Sequence, residues 1–283
     1  MNMKKIAKIA GAIPMLCWLG ILVGLPLIYV VVLSFLTRGP AGTVIARFTL
    51  ENYARIFEPN YMRIFVISLG TAAVTTALTL LIGYPFAYAT SKLKPRTRSF
   101  ILLLVMIPFW TSSLLRTYGW IIILQTKGLL NTVLIALGVL TEPVTYMYTF
   151  GSVQLVTVYM LLPFMILPVY NAVDKLDPSL REASRDLGAK RWETFLRVTL
   201  PLTAHGIVGG VTLVFIPAVG LFFIADLLGG ATMTMLGGLI RDQFGSAGNL
   251  PFGAAVSVIM MLGVMLCVWL YSHVSKDAEG GLF

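Results

Sequence analysis

Histidine, cysteine and charge are all scarce in this chain. Only two histidines, His205 and His273, occur among 283 residues, and their separation leaves no H-E-x-x-H helix that could hold zinc. The two cysteines, Cys17 and Cys267, each lie inside an apolar run, where a thiol behaves as a small hydrophobe, so no disulfide is inferred. A G-x-x-x-x-G-K-[ST] phosphate loop is missing: Gly188-Ala189-Lys190 is followed by Arg191 and lacks the earlier glycine, which excludes an ATPase of that type. No G-x-S-x-G elbow is present, and an intramembrane aspartyl protease would need two intramembrane aspartates where Asp226 is the one candidate. Catalytic readings fail for want of residues. Charged residues are 12% of the chain, against about 25% in soluble domains. With 58% hydrophobic residues this excludes the soluble globular, disordered and disulfide-stapled classes and points to a bilayer as the solvent.

A transmembrane helix needs about 20 mostly apolar residues. Six stretches qualify, at about 10–36, 64–91, 99–124, 151–173, 198–228 and 252–274. The opening, with Lys4, Lys5 and Lys8 before an apolar run, has the look of a signal peptide, but the run continues to Leu36 without a small-residue cleavage pattern and is kept as a span. The excess of 21 Lys and Arg over 12 Asp and Glu gives +9, which on a soluble chain would suggest nucleic acid. Here the charges lie between apolar runs and read as topology. One set of connections, which includes both termini, carries 14 of the basic residues and the other carries 6, so the positive-inside rule places both termini in the cytoplasm. Gly83, Pro85, Pro108, Pro163, Pro168 and Pro217 interrupt the spans, and as a set they fit helices broken around a transport path.

The loop 174–197, between the fourth and fifth spans, is the most informative segment. Asp177 before Pro178 is an N-cap with proline at the first helical position, and Gly188 suits a C-terminal stop. Leu180, Ala183, Ser184 and Leu187 fall at i, i+3, i+4 and i+7 and form one small apolar stripe. A helix this short must lean on something, either its own bundle or a partner.

Glu182-Ala183-Ser184, Gly188 and Val198-x-Leu200-Pro201 resemble the EAA loop of permease subunits in ATP-binding-cassette importers, with Ser184 and Val198 as mild departures from E-A-A-x-x-x-G and I-x-L-P. Phe48-Thr49-Leu50-Glu51-Asn52-Tyr53, Gly83-Tyr84-Pro85-Phe86-Ala87-Tyr88, Ile107 to Arg116, Thr126 to Asn131 and Pro251 to Ala255 are similar to the spermidine/putrescine-type importers of that class. The resemblance spans residues 10–274 and implies an all-α, polytopic type I ABC importer permease in a prokaryotic cytoplasmic membrane, as a single permease domain over 1–283. It also implies a second homologous permease forming a heterodimer, two copies of an ATPase subunit that hold ATP and Mg, and an extracytoplasmic polyamine-binding protein. This chain itself would bind no cofactor and no nucleic acid. Arg181, Glu182, Ala183, Ser184, Asp186, Leu187, Gly188, Ala189 and Trp192 become candidates for coupling to the ATPase.

Ionisable groups at membrane depth are functional candidates. Asp226, with Trp110, Tyr118 and Phe222 or Phe223, is expected to line a path for a polycation, because a carboxylate and aromatic faces attract ammonium groups. Arg116 would repel such a substrate and is assigned to structure or gating, including a structural pair with Asp226. Ferric ion or an oxyanion are alternative substrates, and a stand-alone secondary carrier or a scaffold are alternative classes; neither of the latter would need the 181–192 segment.

Overall fold

In hydrocarbon every backbone N–H and C=O must find a partner inside the protein, and the chain meets this demand by forming helices almost throughout. The computed structural model describes residues 18–230 and 233–280. Lys4, Lys5, Lys8, Cys17 and the start of the expected first span, residues 10–17, lie outside the described residues, as do the side chains of His273 and Lys276.

The helices in chain order are α1 (Gly20–Ser34), α2 (Glu51–Ile56), α3 (Pro59–Ser91), α4 (Pro95–Met106), α5 (Ser113–Leu124), α6 (Leu129–Ala136), α7 (Phe150–Asp174), α8 (Pro178–Asp186), α9 (Arg191–Leu202), α10 (Ala204–Gly220), α11 (Phe222–Leu228), α12 (Leu236–Phe244) and α13 (Leu250–Gly280). Strands β1 (Leu36–Arg38) and β2 (Val44–Phe48) pair antiparallel with an irregularity between Leu36 and Thr37, a small exception to the all-α expectation. Four helical stretches are long and apolar enough to cross a membrane, Pro59–Ser91, Ser113–Ala136, Phe150–Asp174 and Leu250–Trp269, and α9 with α10 makes a fifth, bent by 65°. The expected third span, 99–124, is not one helix: α4 ends at Met106, Pro108 sits in a 3-10 turn over Ile107–Trp110, and Thr111 is extended, so hydrogen bonding restarts at Ser113. The expected fifth, 198–228, is divided at Thr203 and again at Leu221. Pro85, Pro163, Pro168 and Pro217 all lie inside continuous helices.

The described residues form two compact units. In the first, of residues up to 63 with 239–263, the hairpin is tied to α1 and α2. Asn52 donates to the carbonyls of Ser34 and Leu36 at 3.0 and 2.9 Å, Ser34 and Tyr53 share a hydroxyl bond of 2.7 Å, and Phe35 stacks on Phe48. Arg55 bonds the Tyr61 hydroxyl at 3.0 Å and lies 5.0 Å from the Phe252 ring centroid.

The second unit, of residues 64–238 and 264 onward, is organised on α7, whose buried residues run from Ser152 to Val173. Small residues let α10 approach it closely. A Cβ on Gly206 would stand 2.8 Å from the Pro168 carbonyl oxygen, and one on Gly210 would stand 2.6 Å from the Met165 sulfur. Gln154, buried on α7, is satisfied twice, accepting from Thr75 Oγ1 at 2.8 Å and donating to the Thr71 carbonyl at 3.2 Å, as a polar group at membrane depth must be.

Candidate functional site

The capped helix expected in the 174–197 loop is α8. Asp177 Oδ1 accepts from the Ser179 backbone N–H at 2.9 Å, and that bond holds the Asp177 carboxyl below the usual carboxylate range. At the other end Gly188 adopts φ +87°, a left-handed conformation that costs other residues free energy, while its N–H donates to Arg185 O at 2.8 Å and the Ala189 N–H to Ser184 O at 3.1 Å. The glycine of the EAA pattern is thus the residue that turns the chain out of the helix. No open-space restriction applies there, since a Cβ would meet nothing within 4 Å.

None of the α8 residues is buried. Leu180 is 45% exposed and Leu187 is 89% exposed, while Trp192, in the first turn of α9, is 59% exposed. The alternative of a connector packed on its own bundle therefore does not describe this helix. Its support comes from the segment that follows, through a 3.1 Å hydroxyl bond between Ser184 and Thr194 and a 2.8 Å bond from the Lys190 N–H to Glu193. An unsupported apolar stripe on a short capped helix is chemically a surface for a protein groove.

That following segment is anchored in the bundle by residues to which the sequence reading gave no role. Phe195 on α9 meets Tyr84 and Tyr88 of α3 edge-on, at 5.5 and 5.8 Å between ring centroids, and the Tyr84 hydroxyl bonds Thr203 Oγ1 at 2.9 Å. Thr203 also donates to Thr199 O at the bend between α9 and α10. Arg98 pairs with Asp174 at 2.5 Å, tying the α3–α4 side of the bundle to the end of α7 where the loop begins. The i, i+4 spacing of Tyr84 and Tyr88 places both rings on one face of α3, but nothing in it points to Phe195 as their partner.

The expected substrate-path residues are only partly gathered. Helix α11, which carries Phe222, Phe223 and Asp226, packs on α5 and α7, and α5 carries Arg116 and Tyr118. Phe222 lies against Gly237, where a Cβ would be 2.8 Å from its ring, and Asp226 is exposed beside Gly238. Tyr118 is 52% exposed and Trp110, in the turn before α5, is 81% exposed, so these two do not form a closed aromatic box around the carboxylate. Arg116 lies over the Phe109 ring at 5.9 Å, and its Nε is buried without a hydrogen-bond partner among the described residues. That is not the geometry of the Arg116 to Asp226 pair considered from sequence.

Residues 79–279 match the family of binding-protein-dependent transport system inner membrane components. The chain belongs to that family. This permease is 44% identical over 272 residues to the spermidine/putrescine transport system permease protein PotB of Haemophilus influenzae, covering 96% of the chain and 95% of the relative. It is 45% identical over 254 residues to PotB of Escherichia coli K12, covering 89% of the chain and 92% of the relative. In fold it is similar to a solved bacterial ABC transporter involved in the import of the acidic polysaccharide alginate, with a TM-score of 0.74 and 17% identity over 97% of this chain and 96% of that one. The architecture is accordingly that of a type I ABC permease, and the chain is a transport subunit of the inner membrane rather than an enzyme.

Proposed function

We propose that this permease moves spermidine and putrescine into the cytoplasm by alternating access, as one half of a heterodimeric pathway. The partners are a second homologous permease, two copies of an ABC ATPase subunit that bind ATP and Mg, and an extracytoplasmic polyamine-binding protein. Both termini lie in the cytoplasm, the side that the distribution of Lys and Arg favours. The observation that carries the reading is the 44% identity to a spermidine/putrescine permease across 96% of the chain.

The coupling step uses Arg181, Glu182, Ala183, Ser184, Asp186, Leu187, Gly188, Ala189 and Trp192. Docked in a groove of the ATPase subunit, α8 presents Leu180 and Leu187 to it and moves with it when the nucleotide sites close. Displacement passes through the Ser184–Thr194 bond to α9, then through Phe195 to Tyr84 and Tyr88 on α3 and through the bend at Thr203 to α10. On the substrate side Asp226 receives the polycation, and Trp110, Tyr118, Phe222 and Phe223 supply aromatic faces, each worth about 0.5–2 kcal/mol by cation–π attraction. Arg116, half-buried beside Phe109, belongs to the gating structure and not to the substrate contact.

The test is uptake of labelled spermidine and putrescine by cells lacking this permease and supplied with it on a plasmid. Restored uptake of both, competed by neither sulfate nor ferric ion, is expected. Restored import of an oxyanion or of iron in place of polyamines would sink the substrate assignment.

A further inference from the structure

Beside the coupling helix, and walled in part by residues of the coupling segment, lies a cleft of about 810 Å3. Lys92, Arg181, Arg185 and Arg191 line it, against the single carboxylate of Glu182. Among the described residues none of these four cations is held in a salt bridge. Four cations facing one carboxylate leave a net positive charge and repel one another, and an anion in their midst would relieve that repulsion.

The other end of the cleft has the opposite character. Tyr84, Pro85 and Phe195 line it and also line a second groove of about 290 Å3, whose remaining walls are Leu80, Leu81, Leu200 and Ile207. A basic cleft therefore continues into an apolar groove through a shared wall. The junction falls at the end of a span: α3 closes at Ser91, Lys92 is the next residue, and the groove runs back along the preceding turns. Lys92 Nζ stands 3.8 Å over the Tyr88 ring, the amphipathic arrangement found at headgroup depth.

We propose that this pair of cavities is a binding site for one anionic phospholipid, with its phosphate among Lys92, Arg181, Arg185 and Arg191 and an acyl chain in the groove between α3 and α10. An acidic protein segment would neutralise the cleft but leave the groove unfilled, and a zwitterionic lipid would fill the groove but leave the charge. An anionic lipid satisfies both halves. Bound there, it would join α8 to α3 through the bilayer and steady the coupling loop between transport cycles. The proposal rests on α3 being a membrane span and is independent of the polyamine reading.

The experiment places the complete transporter in nanodiscs of phosphatidylcholine with a minority of phosphatidylglycerol and counts retained lipid by native mass spectrometry. The wild type should retain phosphatidylglycerol in preference to phosphatidylcholine. Lys92→Gln with Arg191→Gln, neither of which is assigned to ATPase docking, should weaken that retention about thirtyfold, since each basic group near the surface contributes about 1 kcal/mol. Ile207→Trp, which fills the groove, should lower retention with the charges intact, and soluble glycerol phosphate should not displace the lipid. Equal retention of the two lipids, retention unchanged in the charge variant, or displacement by glycerol phosphate alone would overturn the proposal. Loss of ATPase subunits from the charge variant with phosphatidylglycerol still bound would overturn it in favour of an acidic protein partner.

Discussion

Gly188 isolates the backbone requirement of the coupling loop from every packing effect. Its φ of +87° lies in the left-handed region, and a Cβ added there would meet nothing within 4 Å, so a substitution strains the backbone without clashing inside the chain. For an L-residue with a Cβ the left-handed conformation costs about 1–2 kcal/mol, which reduces the population of the observed loop about 5- to 30-fold. Gly188→Val should fall at the upper end because β-branching adds crowding, Gly188→Ala should be intermediate, and Gly188→Asn should lose least, since asparagine visits this region more readily. The assay is ATP hydrolysis stimulated by the loaded binding protein in the reconstituted complex, with insertion of the permease measured in parallel. Expected activities rank Gly, Asn, Ala, Val, and insertion is the same in all four. Equal loss for Asn, Ala and Val would refute the reasoning, because it would mean that the ATPase groove demands a missing side chain and not a left-handed turn.

Three further outcomes are expected. Gly206→Leu should destabilise the permease by about 1–3 kcal/mol through overpacking, as its Cβ would stand 2.8 Å from the Pro168 carbonyl oxygen; Gly70→Ala, with open space around it, should be near neutral in the same thermal melt. Asp226→Asn should raise the polyamine concentration needed for half-maximal uptake in a complex that still assembles, and unchanged uptake kinetics would remove Asp226 from the substrate path. Because the Ser179 N–H bond lowers the folded pKa of Asp177 below its unfolded value, the cap is in place at neutral pH and fades only as pH falls through that depressed folded value, on the acid side of the ordinary carboxylate range. Hydrogen exchange over 178–186, corrected for the intrinsic rate, should then lose protection in acid, while Asp177→Asn flattens that dependence.

Local chemistry made the coupling loop readable in advance: the Asp177-Pro178 start, the Gly188 stop and the apolar stripe all stand where the structure puts them. Long uniform apolar runs were nearly as legible, since α7 spans Phe150–Asp174 against an expected 151–173. Hydropathy is blind to where a helix breaks within an apolar run. It did not show that Pro108 would open a 3-10 turn while Pro163 and Pro168 stay inside an intact helix, because neighbours that re-satisfy the freed carbonyls are a tertiary matter. The hairpin at 36–48 was missed because its two short strands, of three and five residues, sit beside a transmembrane run and show no clean alternation. Phe195 and Tyr84 illustrate the same limit, since a contact across 111 positions leaves no trace in periodicity. Phe222 and Phe223 were grouped with Asp226 by nearness in sequence, but Trp110 and Tyr118 only by their place beside Arg116 at a similar membrane depth, and Trp110, 81% exposed, shows how weak that second inference is.

The central claim is that this permease couples polyamine arrival to ATP hydrolysis through α8. The most direct test is the ATPase rate of the complex reconstituted with both permeases, the ATPase subunits and the binding protein, titrated with spermidine, putrescine and sulfate, for the wild type and for Glu182→Ala. Stimulation by the two polyamines alone, abolished by Glu182→Ala with all subunits inserted, is the expected result. Stimulation by sulfate in place of polyamines, or an unaltered polyamine response in Glu182→Ala, would contradict it.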